Sequence, residues 1–479
     1  MGDFEAVIGL EVHAQLTSAS KLFCRCSTAA GPPNRHVCPV CLGLPGALPV
    51  INRRAVVLAV RVARSLGCAL HRESIFARKN YFYPDLAKGY QISQYDRPFC
   101  TGGQVPVGEG SVALTRIHLE EDAAKNLHQG GEGTLVDYNR AGTPLIEIVS
   151  EPVLRSAEEA EEYLRSLREI LMFQRANDGN LEEGSFRCDA NVSLRPRGSD
   201  VLGTRTELKN INSFRFVRKA LDYEIGRQAS VLASGGTVVQ ETRSFDADSG
   251  RTFSMRGKED AHDYRYFPDP DLPPLVLDDG LVEEARAGLQ PMPAERRAAY
   301  RNLGLSQADA AALTRHPVVA DYFDAVRAAY GEEKKKAKTI ANLMRSELFR
   351  HVQLAGLDAM IPIPPEALAE LLGLIDDGTI NGKVAKQVLD RMAETGAGAA
   401  AVVEREGLRQ LTDGGAIDAV VGDVLRANPT QVGQYREGKA SLLGFFVGQV
   451  MKATEGKANP RQVNERLRAL LEEAPGAKG

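Results

Sequence analysis

No stretch of this 479-residue chain comes near the ~18 consecutive apolar residues of a membrane-crossing helix, and none of its residues is tryptophan. The opening Met1-Gly2-Asp3-Phe4-Glu5-Ala6 is acidic where a secretory leader carries a basic region, and Ala6 stands where a myristoylation signal needs Ser or Thr. An excess of one charge is also missing: 59 Lys and Arg face 63 Asp and Glu, a formal net charge of −4. That balance demands no polyanionic partner, although it says nothing about local patches. Seven cysteines are an odd number, and four of them crowd between Cys24 and Cys41. Such a distribution argues against a secreted disulfide framework and for reduced thiols or a metal. A phosphate loop is lacking too. Gly433 to Lys439 fits the first part of a Walker pattern, but Ala440 replaces the magnesium-binding Ser or Thr, and Asn428-Pro429 reads as a helix entry. These absences point to a cytoplasmic globular protein with no membrane contact, long enough for about three domains.

What the chain does contain is a recurring strand pattern. In Val7 to Leu16, Ile8, Leu10, Val12, Ala14 and Leu16 share one face, while Glu11, His13 and Gln15 share the other. In Ser185 to Pro196, Phe186, Cys188, Ala190, Val192 and Leu194 alternate with Arg187, Asp189, Asn191, Ser193 and Arg195. Arg205, Glu207 and Lys209 follow on one face of a further run. Between Thr115 and Pro152, Thr115, Ile117, Leu119 and Glu121 share a face, a turn carries Gly130, Gly131 and Gly133, and Leu145, Glu147 and Val149 share a face of the next run. A carboxylate in apolar company must be paired, hydrogen-bonded or metal-bound. Any one strand alone reads equally well as an ordinary edge with its acids in water. Together they predict an antiparallel sheet with a concave working face, where acids hold Mg²⁺ and cations neutralise phosphate oxygens.

Cys24-x-Cys26 and Cys38-x2-Cys41 are paired as a closed tetrahedral zinc site requires, within an insertion spanning 24–41. Four free thiols are the alternative. Arg78 to Gln94 interleaves cations with tyrosines, a pattern open to a nucleic-acid contact, a substrate channel or a packed loop. Residues Asn52 to Leu66 and Ala157 to Phe173 carry a helical period. After Pro291 the strands give way to long Ala- and Leu-rich helical stretches. Lys383, Lys386, Arg436, Lys439 and Lys452 recur near turns there, suited to a phosphate backbone and equally to an ordinary surface.

Long, unusual strings also carry a family resemblance: IGLEVH from Ile8, CPVCLGLPGALPV from Cys38, RKNYFYPDLAKGYQISQYDRP from Arg78, HLEEDAAK from His118, DYNRAGTPLIEIVSEP from Asp137, GSFRCDANVSLRP from Gly184, TELKNINSFRFV from Thr206 and DYRYFPDPDLPPL from Asp263. NPTQVGQYREGKASLLGFFVGQVMK from Asn428 and KANP from Lys457 add the tail. The chain resembles the B-type subunit, the kinase and transamidase, of the tRNA-dependent amidotransferases, which convert Glu-tRNA(Gln), Asp-tRNA(Asn) or both to the amide forms. The resemblance implies an α+β fold: a glutamine-synthetase-like antiparallel cradle over 1–292, an all-α helical domain over 293–405 and a small tRNA-binding tail over 406–479. It implies ATP, Mg²⁺ and structural Zn²⁺, and a reaction in which the side-chain carboxylate is phosphorylated and ammonia displaces the phosphate.

Carried over by position, Glu11, His13, Glu121 and Glu207 fall on the metal-binding and catalytic positions. Arg187, Asp189, Glu147 and Lys209 serve the nucleotide. Lys79, Tyr81 and Lys88 lie on the ammonia path, and Cys24, Cys26, Cys38 and Cys41 hold zinc. The tail and its neighbours, through Lys383, Lys386, Arg436, Lys439 and Lys452, meet tRNA. No Ser-Ser-Lys amidase signature occurs, so the resemblance implies a heterotrimer whose other members are an amidase (glutaminase) subunit and a small third subunit. A glutamyl- or aspartyl-tRNA synthetase is a further expected associate. A stand-alone carboxylate–amine ligase has no use for the two extra helical domains. A zinc-stabilised tRNA scaffold has no use for the recurring acids.

Overall fold

The protein is described by a computed structural model covering residues 3–127, 133–255, 264–410 and 414–472; Gly130, Gly131 and Asp263, named above, lie outside these. Alternation from Phe4 to Gln15 builds β1 (Phe4–Gln15), the spine of a ten-stranded sheet. On one side it pairs antiparallel with β3 (Pro144–Ser150), which pairs with β2 (Gly110–Glu121). On the other it pairs antiparallel with β4 (Phe186–Pro196), followed by β5 (Thr206–Lys209), β6 (Glu241–Asp246) and β7 (Arg251–Ser254). The β5–β6 pair is parallel and the other neighbours are antiparallel. The α+β expectation is met.

One face of the sheet is apolar, and three helices bury it. They are α1 (Arg53–Ser65), α2 (Ala157–Phe173) and α3 (Phe214–Ala233), each started by a capping side chain: Asn52, Ser156 and Ser213 accept from backbone amides of the first turn. Ile8, Leu10, Val12, Ile117, Leu119, Ile146 and Ile148 pack in one core with Val57, Val60, Leu164, Leu167, Val217 and Leu221. Ile8 and Leu164 are fully buried, and burying such a side chain stabilises by roughly 1.5–3 kcal/mol. With this face closed by helices, the polar residues of the alternation are left on the other.

The chain divides into a unit over Met1–Arg296 and a second over Arg297–Gly479. Among the described residues the second is helical, apart from one short hairpin (Gln353–Ala355 with Asp358–Met360), and shows two cores. One runs from Tyr300 to Val403 and the other from Ile417 to Leu471. No helix among the described residues is long and apolar enough to cross a membrane.

Candidate active site

The register of the sheet aims the polar residues of five strands at one place. Glu11 lies opposite Asp189 and Val149, and His13 opposite Arg187 and Glu147. Glu147 faces His118, and Asn191 faces Glu207. Residues directly opposed across a strand pair point to the same side. Glu11, His13, Glu147, Asp189, Glu207 and Lys209 accordingly line one cavity of about 960 Å³, with His118 beside them. Lys79, Tyr264 and Tyr266 add to its lining. Lys79 comes from a small sheet pairing Ala77–Asn80 with Tyr90–Ser93 and Phe267–Pro268, and the two tyrosines from the segment leading into its last strand.

Inside this cavity Glu147 Oε2 is 3.3 Å from Nε2 of His13 and 3.3 Å from Nε2 of His118. The Glu120 carboxylate is 3.8 Å from His13 and 3.7 Å from His118, and accepts from Ser93 Oγ at 3.1 Å. Burial alone would drive both imidazoles neutral, but Glu147 and Glu120 outweigh it. They hold His118 up at about 9 and raise His13 above its ordinary value. Burial pushes the Glu147 carboxyl up, yet the two imidazoles bring it well below the usual range. Glu11 is raised, by burial first and then by the charge of Glu147, and its Oε1 accepts from Asn191 at 3.0 Å. Lys209 Nζ bridges Asp189 at 2.9 Å and Glu207 at 3.0 Å, and Thr242 Oγ1 donates to Glu207 at 2.7 Å.

Glu121 is one residue out of phase with this group. Period-two geometry turns it to the sheet's other side from Glu120. There it pairs with Lys88 and accepts from the Ile92 amide at 3.0 Å. The structure thus brings Glu120 and His118 to the cluster in place of Glu121, and places the Lys88 ammonium beside Glu121. Both newcomers were legible as the polar phase of β2, in which Arg116, His118 and Glu120 alternate with Ile117 and Leu119. Lys79 and Tyr81 do reach the cavities, and their own acid–base groups are shifted upward. For Lys79 burial lowers the pKa, but Glu120, Glu147 and the tyrosines Tyr264 and Tyr266 together outweigh that, while for Tyr81 burial itself is the main cause. Arg187 lines a smaller chamber of about 260 Å³, together with His13, Lys79 and Asp189. A third cavity of about 440 Å³ shares Glu11, Asn191 and Arg205 with the largest, and is walled by Val7, Gly9, Pro152 and Leu202.

One ligand atom from each of His13, Glu120 and Glu147 lies within 4.8 Å of the others. Two carboxylates and an imidazole are a donor set that a divalent cation accepts. The sulfurs of Cys24, Cys26, Cys38 and Cys41 also lie within 4.8 Å of one another. A tetrahedron with ~2.3 Å zinc–sulfur bonds has sulfurs about 3.8 Å apart, so this quartet needs only a slight contraction. A hydrogen bond from Cys24 holds the Cys41 thiol low, at about 4. Lys21, fully buried, donates to Cys41 Sγ at 3.5 Å. Gly142, at φ 85, lets the chain pass here: a Cβ would meet Lys21 Cδ at 3.4 Å and Glu121 Oε2 at 3.7 Å.

Among the expected tRNA contacts, Lys383, Lys386, Arg436, Lys439 and Lys452 are all at least partly exposed. Lys386 is engaged by Glu347 at 2.5 Å, and Arg436 Nε donates to the Leu471 carbonyl at 3.0 Å.

Comparison with known proteins gives two family matches. The GatB/GatE catalytic domain family matches residues 6–283, and the GatB domain family matches residues 321–471. This chain belongs to the GatB family. A relative from Anaeromyxobacter sp. (strain Fw109-5), named as the B-type subunit of aspartyl/glutamyl-tRNA(Asn/Gln) amidotransferase, is 56% identical over 98% of this chain and 99% of its own. Relatives of the same name from Syntrophotalea carbinolica and Nitratidesulfovibrio vulgaris are 54% and 53% identical, each over 98% of this chain. The first family match falls within the sheet-bearing unit, and the second within the helical one.

Proposed function

We propose that the large cavity phosphorylates the acidic side chain carried by a mischarged tRNA, and that the helical unit holds that tRNA. The chain is a subunit of a tRNA-dependent amidotransferase, a glutamine-hydrolysing ligase that converts Glu-tRNA(Gln) and Asp-tRNA(Asn) to the amide forms. A carboxylate resists ammonia until one of its oxygens becomes a leaving group, so phosphorylation must come first. The observation that carries the reading is the His13–Glu120–Glu147 cluster, whose His13 and Glu147 line the cavity that also holds Lys79 and Lys209.

In this reading His13, Glu120 and Glu147 hold Mg²⁺, with Glu11 and Glu207 beside them. When bound, the cation spreads the charge that develops on the transferring phosphoryl oxygens. Lys209, fixed between Asp189 and Glu207, presents its ammonium to phosphate oxygens at a set position. The smaller apolar-walled cavity beside Glu11 takes the base of ATP. Lys79, Tyr81 and Lys88 line the way by which ammonia arrives from the partner amidase, and Lys383, Lys386, Arg436, Lys439 and Lys452 meet the tRNA backbone. The four cysteines hold a structural zinc. We assign the cradle to 1–292, the helical domain to 293–405 and the tRNA-binding tail to 406–479.

The test is ADP release dependent on mischarged tRNA, measured on the assembled complex with free ammonia supplied. Glu120→Gln keeps the shape but removes the charge that a hard cation needs. It abolishes ADP release while uncharged tRNA binds as before. Release at the parental rate would remove Glu120 from the metal site.

A further inference from the structure

The small chamber beside the main cavity holds two cations, Lys79 and Arg187, whose donors its own acids do not fill. Its lining includes Glu120, Asp122 and Asp189, each already engaged. Glu120 is taken by the two imidazoles and Ser93, Asp189 by Lys209 at 2.9 Å, and Asp122 by Gln15 at 2.7 Å and Arg187 at 2.9 Å. The cations are not so fully used. Arg187 donates through Nη2 to Asp122 and makes no other hydrogen bond to the described residues. Its Nε–H is buried without an acceptor, and 36% of its side chain stays exposed. Lys79 Nζ sits 4.9 Å from the Tyr264 ring centroid and has no ion pair among the described residues. An arginine pinned at one edge by a buried acid leaves its remaining donors in a fixed fork, which suits a planar carboxylate.

We propose that this chamber is the pocket for the aminoacyl end of the charged tRNA, and that Arg187, assisted by Lys79, recognises the side-chain carboxylate to be amidated. The inference rests on the functional reading above and adds the residue that selects the acid. The chamber shares His13 and Asp189 with the large cavity, so an acid held in it lies beside the phosphoryl donor. At about 260 Å³ against about 960 Å³, it suits an amino-acid side chain and not a nucleotide. The same contact explains release. The amide product has no negative charge, so Arg187 loses a charge-assisted partner once the reaction is complete, and the product lets go.

The assay compares binding of the complex to tRNA bearing the acidic amino acid, the same tRNA bearing its amide, and the uncharged tRNA. The parental complex should favour the acid over the amide by about 10- to 100-fold, the range of one hydrogen bond to a charged group. Arg187→Gln should bring that ratio to within about twofold of unity, while KM for ATP and affinity for uncharged tRNA hold. Arg187→Lys, which keeps the charge but not the fork, should fall between. In Arg187→Gln the buried Asp122 keeps only Arg140, at 3.7 Å, as a cation among the described residues; the double variant Arg187→Gln, Asp122→Asn, which removes both charges, guards against a folding defect and should lose the ratio equally. Asp122→Asn alone keeps Arg187 and an amide oxygen that still accepts from its Nη2, and should retain the ratio. Retention of the ratio by Arg187→Gln, or its loss in Asp122→Asn alone, overturns the assignment. So does a rise in KM for ATP with the ratio intact, which would make the anion a phosphate. A parental complex with no ATP-dependent amidation would instead defeat the functional reading itself.

Discussion

Replacing Glu147 with glutamine tests the electrostatics of the site without any substrate. In chelator-treated protein, Glu147 sits 3.3 Å from the imidazoles of His13 and His118 and raises the pKa of both. His118 has an ordinary pKa near 6.5, and in the fold it is held at about 9. A group raised on folding adds stability that is complete below about pH 6.5 and is lost as the pH climbs through about 9. At ~1.4 kcal/mol per pKa unit, that upward shift is worth on the order of 3 kcal/mol. An independent route gives the same scale, since breaking a buried ion pair by deleting one partner costs about 3–5 kcal/mol. At about 2 °C per kcal/mol for a unit of this size, Glu147→Gln should lower the melting temperature of the sheet-bearing unit by about 6 °C at pH 6. The deficit should shrink by pH 10, where the parental His118 has lost its proton. Differential scanning calorimetry in EDTA at the two pH values measures both. An equal deficit at pH 6 and pH 10 would refute the reasoning, because the imidazoles would then not be the groups that Glu147 stabilises.

Cys41→Ser should lose the bound zinc and lower thermal stability in the metal-replete protein, with no effect on chemistry once the complex is assembled; elemental analysis with a thermal melt checks this, and zinc retained at one per chain would count against the quartet. Deleting the tail from Glu406 onward should raise KM for charged tRNA far more than KM for ATP, and unchanged kcat/KM for charged tRNA would show that the tail does not bind it.

Sequence alone showed the strands that carry the site and which of their residues would be polar, but not the edge strands Glu241–Asp246 and Arg251–Ser254. The alternation in Val7 to Leu16 and Ser185 to Pro196 is local, and a strand's period of two converts it directly into faces. Hence Glu11, His13, Asp189 and Glu207 could be placed on polar strand faces from the alternation, whereas the metal-binding group, named as Glu11, His13, Glu121 and Glu207, came from the family resemblance; the cysteine quartet could be named from spacing. Helix Ala157–Phe173 was equally legible, because its period and its Ser156 cap are both local.

The tertiary structure decided what local pattern cannot carry. In β2, two adjacent acids, Glu120 and Glu121, end the strand, and each belongs to a different phase. Pairing Glu147 with His118 puts Glu120 beside the imidazoles, and the Lys88 side chain, from a loop 33 residues away, claims Glu121. Spacing put Glu120 in phase with His118 and Glu121 in phase with Leu119, but only the register showed that the phase of His118 meets His13 and Glu147. Arg187 shows the same limit. Its alternation set it among the polar residues, but only the buried Asp122 and Gln15 fix which cavity it serves. Faces follow from the chain's own geometry; partners follow from register and from side chains that arrive from elsewhere in the fold.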